Sequence, residues 1–405
     1  MNALLRLLFL AEEDVSVAVP PASCLFLSDS EEIFPFLQSF IPSHTSFPGM
    51  RSPQSSLPSS SNASNRVPFT RRRRQTTSKI CRAGMSSNTN SKSLYLKTVD
   101  GNENLPISEI GLGTISWGDE SYGFNKQYRE KDLKETYRKA KEVGVNFFDT
   151  AEVYGYKNTK FEQSSEHILS RCREEEAEDE SEVVIGSKVF TIPWTNALLG
   201  GGFRLGKESL VLAGKESVKR MNNRPMDLWS IHFPFPSFSQ EVLMSALEES
   251  LDLGLTKAVG VSNYNKEQLE KAYDILDKRG IPLASNQVEY SILNRKAEKE
   301  GLLRSCQDRD VKVVAYSPLK ALKTTEIAEK YVIMNKLCDF IGQVNSGGKS
   351  SVSVMLNYCV TKGTIPIPGV KKVEQIADIE NAMGWTLDEE SLLTIDEKMD
   401  YLDGL

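Results

Sequence analysis

The chain has 405 residues, 40% hydrophobic and 26% charged, with a formal net charge of −6. That balance suits a globular fold and gives no general case for nucleic-acid binding. No apolar run reaches the roughly 18 residues of a membrane-spanning helix; three histidines are too few for a His-rich metal site, and six cysteines without C-x-x-C spacing indicate neither zinc nor a disulfide framework, but reduced thiols in an intracellular compartment.

The first element is a leader. Ile33 to Ser93 contains no Asp or Glu, is rich in Ser and Pro, and carries the basic run Arg71–Arg74. A Ser-rich, Arg-containing, acid-poor N-terminus reads as an organelle transit peptide. "KICRAGM" around Arg82–Ala83 resembles a plastid processing site, so residues 1–83 are expected to be removed and the protein to work in the chloroplast stroma. A disordered tail, or a nucleic-acid or nuclear signal in "RRRR", are the competing readings. Six acidic residues (Glu12, Glu13, Asp14, Asp29, Glu31 and Glu32) sit badly with an import signal, which would then begin later, near Met50.

Beyond residue 94 short apolar strands alternate with amphipathic helices. Strands are predicted at Ile107–Leu112, Val145–Asp149, Val183–Lys188, Asp227–His232, Ala258–Ser262, Leu283–Val288, Val311–Tyr316 and Thr364–Ile367. Helices are predicted near 129–143, 161–173, 207–222, 239–254, 265–279, 296–308, 349–361 and 371–382, with Gly144 and Gly254 as C-caps. Strands separated by helices are parallel and buried on both faces. Eight such units over residues 94–405 predict a single-domain (β/α)8 TIM barrel. An open doubly wound sheet is the alternative, but no G-x-G-x-x-G opens a helix after the first strand. The acidic run Arg173–Glu182 reads as a solvated loop.

Three consecutive strands end in titratable groups. Asp149 closes the second, with Tyr154 five residues on; Lys188 closes the third and His232 the fourth. Singly, each has an ordinary reading: a cap, a surface cation, a satisfied core histidine. Together they make chemical sense at the C-terminal face of a barrel. A phenol with a pKa near 10 is a poor proton donor at neutral pH; a neighbouring Lys⁺ is expected to lower that value, and a carboxylate to hold the Lys. A histidine can orient the oxygen that receives the proton. Such a group of residues protonates a carbonyl oxygen while a cofactor delivers hydride to the carbon.

The stretches "IGLGTISWG", "GVNFFDTAEVYG", "VVIGSK", "DLWSIHFP", "KAVGVSNY", "NQVEYSILNR", "AYSPL" and "IPIPGVKK" resemble, in this order, the aldo-keto reductase family, especially its plant plastid members. The resemblance implies reduction of aldehydes or ketones with NADPH, Tyr154 donating the proton, Asp149 and Lys188 activating it, and His232 orienting the substrate. By the same resemblance Ser262, Asn263 and Gln287 would hold the carboxamide, and Tyr316 would stack on the nicotinamide. Ser317 and Leu319 would line the pyrophosphate, and Gly369, Lys371, Gln375 and Asp378 would surround the 2′-phosphate and adenine. Gly113 and Thr114 are assigned to the cofactor side, and Trp117 and Trp194 are candidate walls of a substrate pocket. The ordinary readings of Tyr316 and "SNY", core packing and a helix N-cap, are compatible with these roles.

Two departures stand out. Ile379 replaces the Asn usual beside the adenine-contacting acid, and "SPLKALKTTEIAEKY" lacks the glycine-containing stretch expected after "YSPL", with Lys320 and Lys323 in its place. The altered loop keeps open a second function, a cofactor-sensing binding protein on the same barrel, and a third, a catalytically inactive structural relative.

Overall fold

Period-two alternation decides which way each strand side chain faces, and here it sorts two cores. The computed structural model describes residues 94–99, 104–155, 161–175, 183–192, 203–319 and 325–404. The expected leader, Trp194, Lys320, Lys323 and most of the acidic run lie outside the described residues. A small antiparallel hairpin, β1 (Tyr95–Leu96) and β2 (Leu105–Pro106), precedes eight parallel strands. These are β3 (Leu112–Gly113), β4 (Phe147–Asp149), β5 (Val184–Val189), β6 (Met226–Ile231), β7 (Thr256–Ser262), β8 (Leu283–Glu289), β9 (Lys312–Tyr316) and β10 (Thr364–Ile367). Each pairs with its neighbours in chain order. Gly113 also bridges in parallel to Gly369, and its N–H donates to Pro368 O at 3.0 Å, which brings the last strand back to the first. The sheet is the (β/α)8 barrel the sequence predicts, and its return onto β3 excludes an open doubly wound sheet.

Inward residues such as Phe147, Val184, Leu228, Val314 and Ile365 fill the barrel, and Leu96 and Ile107 from the hairpin segment join the same cluster. Outward residues such as Phe148, Ile185, Trp229 and Val261 pack in the larger layer beneath the helices. The parity that points Phe147, Val184 and Leu228 inward also points Asp149, Lys188 and His232 inward, two or four residues later. β8 needs a correction to reach the same end. Its pairing with β7 slips between Val259 and Gly260, from Leu283 to Ser285, so Ala284 is an extra residue. That irregularity resets the alternation and aims Gln287 into the barrel.

The helices are α1 (Glu130–Glu142), α2 (Ser165–Glu175), α3 (Gly206–Arg220), α4 (Gln240–Asp252), α5 (Lys266–Asp277), α6 (Lys296–Lys299), α7 (Leu302–Asp308), α8 (Thr325–Val344), α9 (Ser351–Thr361), α10 (Ile376–Ala382) and α11 (Glu389–Asp403). Side-chain caps start several of them, among them Ser239 on α4, Asn265 on α5, Ser350 on α9 and Asp388 on α11. None of the described helices is long and apolar enough to cross a membrane. The four described cysteines, Cys172, Cys306, Cys338 and Cys359, are buried and free.

Three elements differ from expectation. The first barrel strand is Leu112–Gly113, not Ile107–Leu112: Ile107 belongs with the hairpin, its N–H donating to Leu94 O at 3.0 Å. The stretch expected to be a shortened loop runs into α8, whose Met334, Cys338 and Ile341 are buried at helical spacing. Lys371 and Lys372 do not open the last helix: they precede a 3-10 turn (Val373–Gln375) that leads into α10, and α11 follows.

Two loops of the site's face meet at a glycine. Gly118 has φ of +82°, and a Cβ built there would lie 1.9 Å from Gln163 O, in the segment entering α2. Gly118→Ala is therefore expected to cost at least about 1–3 kcal/mol through overpacking, read as a lower urea midpoint. An unchanged midpoint would show that the two loops part freely.

Candidate active site

β4 delivers Asp149 into the barrel, and the chain then turns so that Tyr154 N–H donates to Ala151 O at 3.1 Å. From β5, the Lys188 ammonium donates to Asp149 Oδ2 at 2.7 Å and to Thr150 O at 2.8 Å, and stands 3.5 Å from the Tyr154 hydroxyl. Both members of the ion pair are buried. His232 follows β6 directly, its backbone N–H donating to Val189 O at 2.9 Å. Its ring lies edge-on to that of Tyr154, with centroids 6.0 Å apart. All four predicted strand-end groups therefore converge.

Burial dominates their protonation. It pushes the Tyr154 phenol well above its ordinary value, and the nearby Asp149 carboxylate pushes it the same way. Burial and then Asp149 thus outweigh any lowering by Lys188, and the phenol is not depressed as the sequence predicts. Burial also lowers Lys188, opposed by Asp149 and Glu166, and raises Asp149, opposed by Lys188 and Gln287. His232 is pushed well below its usual range by burial and then by the Lys188 charge. The site thus holds a protonated phenol and a neutral imidazole.

The residues assigned to the carboxamide form one network. Gln287 Nε2 donates to Asp149 Oδ1 at 2.7 Å, and Ser262 Oγ donates to Gln287 O at 2.9 Å. Asn263, at φ of +62°, donates from Nδ2 to His232 O at 2.9 Å and accepts from the Tyr316 hydroxyl at 3.0 Å. Ser317 also has positive φ, +51°, while Leu319 packs on the core. Beyond β10, Gly369 is exposed, and a Cβ there would meet nothing within 4 Å.

The adenosine end is differently engaged. Lys371 donates to Tyr122 O at 3.0 Å and lies over the rings of Tyr122 and Tyr128. Gln375 Oε1 accepts the backbone N–H groups of Lys371 and Lys372. Asp378 accepts from Ser350 Oγ at 2.6 Å. Gly113 and Thr114 belong to the frame: Thr114 is fully buried, its hydroxyl donating to Asp149 O at 2.8 Å and lying 2.6 Å from Ser165 Oγ. Trp117 is no pocket wall. Its side chain is fully buried and its indole N–H donates to Val370 O at 2.8 Å.

Two further buried ion pairs stand beside the tetrad, Glu152 with Arg204 and Glu166 with Arg220. Glu166 also accepts from Ser187 Oγ at 2.6 Å, next to Lys188. Glu152 lies between Asp149 and Tyr154 in the sequence, but in a turn, where no strand parity announces its burial. Arg204, Glu166 and Arg220 carried no signal either.

Residues 109–400 match the model of the family described as Aldo/keto reductase family. A chloroplastic pyridoxal reductase of Arabidopsis thaliana is 30% identical over 314 residues, 72% of this chain and 83% of that protein. An NAD/NADP-dependent indole-3-acetaldehyde reductase of Schizosaccharomyces pombe is 25% identical over 289 residues, 70% of this chain and 88% of that protein. Among solved structures, a thermostable aldo-keto reductase in complex with the inhibitor epalrestat matches with a TM-score of 0.61 at 27% identity, covering 75% of this chain and 99% of that one. A family match spanning nearly the whole barrel, over strands whose ends bring Asp149, Tyr154, Lys188 and His232 to one place, means that the chain belongs to the aldo/keto reductase family.

Proposed function

We propose that the protein is an NADPH-dependent reductase of aldehyde and ketone carbonyls, with Tyr154 as the proton donor. The observation that carries this reading is the Tyr154 hydroxyl, held protonated 3.5 Å from a buried ammonium that Asp149 fixes in turn. As negative charge develops on a carbonyl oxygen, the phenol releases its proton and Lys188 stabilises the phenolate left behind. Neutral His232 donates a hydrogen bond to the same oxygen. Bound NADPH supplies the hydride.

The residues fit that cofactor at the nicotinamide end. There the half-buried Tyr316 is hydrogen-bonded to Asn263, next to Ser262 and Gln287, and after β10 the space over Gly369 is open for the adenosine part. Ser317 and Leu319 would follow the pyrophosphate, and Gly369, Lys371, Gln375 and Asp378 the adenosine, with Lys371 turning away from Tyr122 to meet a 2′-phosphate. On the substrate side, Phe190 stands edge-on to His232 at 5.3 Å and Phe233 stacks on it at 4.8 Å. An aromatic wall of this kind suits a flat aromatic aldehyde, and the Arabidopsis relative makes pyridoxal the first compound to assay. That relative's plastid location, with the acid-free, basic stretch before Leu94, supports residues 1–83 as a transit peptide and the chloroplast stroma as the site of action.

NADPH oxidation in the presence of pyridoxal and a panel of aldehydes and ketones is the direct test. Tyr154→Phe keeps the ring and removes the proton, so kcat is expected to fall by roughly 10²–10⁴ with NADPH affinity retained. Near-normal turnover in that variant would exclude Tyr154 as the acid. Lys188→Met is expected to be as damaging to kcat, and also to destabilise the fold by about 3–5 kcal/mol, because it strands Asp149 as an unpaired buried charge.

Lys371 and Lys372 support a preference for NADPH over NADH. Lys371→Met is expected to lower kcat/KM for NADPH by about tenfold, or 1.4 kcal/mol, and to leave NADH unaffected. Equal kcat/KM for the two cofactors in the wild type would end this reading.

His232 adds a pH signature. The unfolded chain protonates it near pH 6.5, whereas the folded site holds it neutral to well below that. The unfolded state therefore binds the extra proton first, and stability falls as pH drops from the unfolded value toward the depressed folded one. His232→Gln should flatten this part of the stability–pH curve in urea titrations from pH 7 downward. Parallel curves for the two proteins would show that His232 protonates normally in the fold.

A further inference from the structure

The Glu152–Arg204 pair is buried as completely as the tetrad, yet neither residue has a part in the proton transfer. Glu152 is the second residue of the turn Ala151–Tyr154 that presents the phenol, and its backbone N–H donates to Lys188 O at 3.3 Å. Its carboxylate takes the fork of Arg204, Nη1 on Oε1 at 2.5 Å and Nη2 on Oε2 at 3.1 Å. Oε1 also accepts the Phe190 N–H at 2.6 Å, and Arg204 Nη1 donates in addition to Phe190 O. Phe190 is thus held at both its backbone polar groups, and its ring stands beside His232. Arg204 is 1% exposed while its neighbours Phe203 and Leu205 are 70% and 69% exposed, so it is the side chain of this segment that turns inward.

A buried ion pair is weak grounds for stability, because well-packed apolar residues of the same volume often do as well. What the pair supplies is directional: a planar fork fixes two oxygens at once, and every group it touches leads to the active site. We infer that Glu152 and Arg204 are positioning residues, a clamp that holds the turn carrying Tyr154 in register with the Phe190 wall against which the carbonyl substrate lies. The inference rests on the reading of Tyr154 as proton donor for its effect on kcat, and on Phe190 alone for its effect on substrate KM.

The test is a set of four proteins: Arg204→Lys, Glu152→Gln, Arg204→Met, and the double variant Glu152→Gln/Arg204→Met. Arg204→Lys keeps the charge and loses the fork. It is expected to fold with little change in Tm, to lose ten- to a hundredfold in kcat with pyridoxal or another aromatic aldehyde, and to raise the aldehyde KM severalfold. The Kd for NADPH, read by protein-fluorescence quenching, should stay within twofold, since the proposed cofactor residues lie on β7 to β9 and the segments that follow β7, β9 and β10. Arg204→Met leaves a buried carboxylate unpaired and is expected to lower Tm sharply. The double variant removes both charges and should recover most of that Tm without recovering kcat. A clamp that serves only stability would instead restore kcat together with Tm, and that result would overturn the inference, as would wild-type kcat and aldehyde KM in Arg204→Lys. If Tyr154→Phe keeps its turnover, the reading of the acid fails; a raised aldehyde KM in Arg204→Lys would still uphold the clamp, and an unchanged one would end it.

Discussion

A buried ammonium must be compensated, and Lys188 is compensated on two sides, by Asp149 Oδ2 at 2.7 Å and Thr150 O at 2.8 Å. The geometry of the site follows from that contact. With two directions occupied, the remaining approach to the ammonium is where the Tyr154 hydroxyl stands, at 3.5 Å. The other oxygen of Asp149 accepts from Gln287 Nε2 at 2.7 Å, which ties β4 to β8 across the barrel. Gln287 O in turn accepts from Ser262 Oγ and from the Asn263 N–H. One carboxylate therefore sets both the lysine beside the phenol and the amide proposed to meet the cofactor. The proton side and the hydride side of the proposed reaction share a single anchor.

Around this anchor the acids and bases alternate. Asp149 meets Lys188, Glu152 meets Arg204, and Glu166 meets Arg220. Glu166 acts on Lys188 through space, in the direction that keeps the ammonium charged. Each buried charge has a partner on a different segment, so each pair also fixes two segments against one another. The strands supply the tetrad's directions; Glu166 and Arg220 join α2 to α3, and Glu152 and Arg204 hold the turn after β4 to Phe190, where the phenol and the aromatic wall are carried. Such turns have little apolar area of their own to bury, and directional contacts take the place of packing there.

Most of the barrel was legible because each buried strand is a short apolar run between helical patterns. Seven of the eight predicted barrel strands overlap the observed ones closely; the exception, β3, starts late because Ile107 is bonded to Leu94 beside the hairpin, a contact no local pattern announces. The tetrad was legible for a simple reason: inward parity and strand ends can both be read along the chain. The bulge at Ala284 could not be read, yet Gln287 depends on it for its direction. Arg204 and Arg220 were opaque because a buried arginine looks like a surface one until its partner, 52 or 54 residues earlier, is known. α8 has a sequence signal of its own, the helical spacing of the buried Met334, Cys338 and Ile341, but it follows directly on a stretch whose lysines and missing glycines suggest an altered loop.

Lys371 shows how an assignment by position and an observed contact bear on each other. Its ammonium is held by Tyr122 O and by the faces of two rings, 5.6 and 5.5 Å away. A cation over an aromatic face is worth about 0.5–2 kcal/mol, so a phosphate that draws Lys371 away must first replace those contacts. Lys372, at the N-cap of the 3-10 turn, is exposed. Tyr122 connects the two ends of the site, because its ring also acts on the Tyr154 phenol. The lysine assigned to the cofactor's far end is thus in contact with a residue that neighbours the proposed acid. Lys371 and Tyr122 lie on the segments that follow β10 and β3, which the Gly113–Gly369 bridge brings side by side.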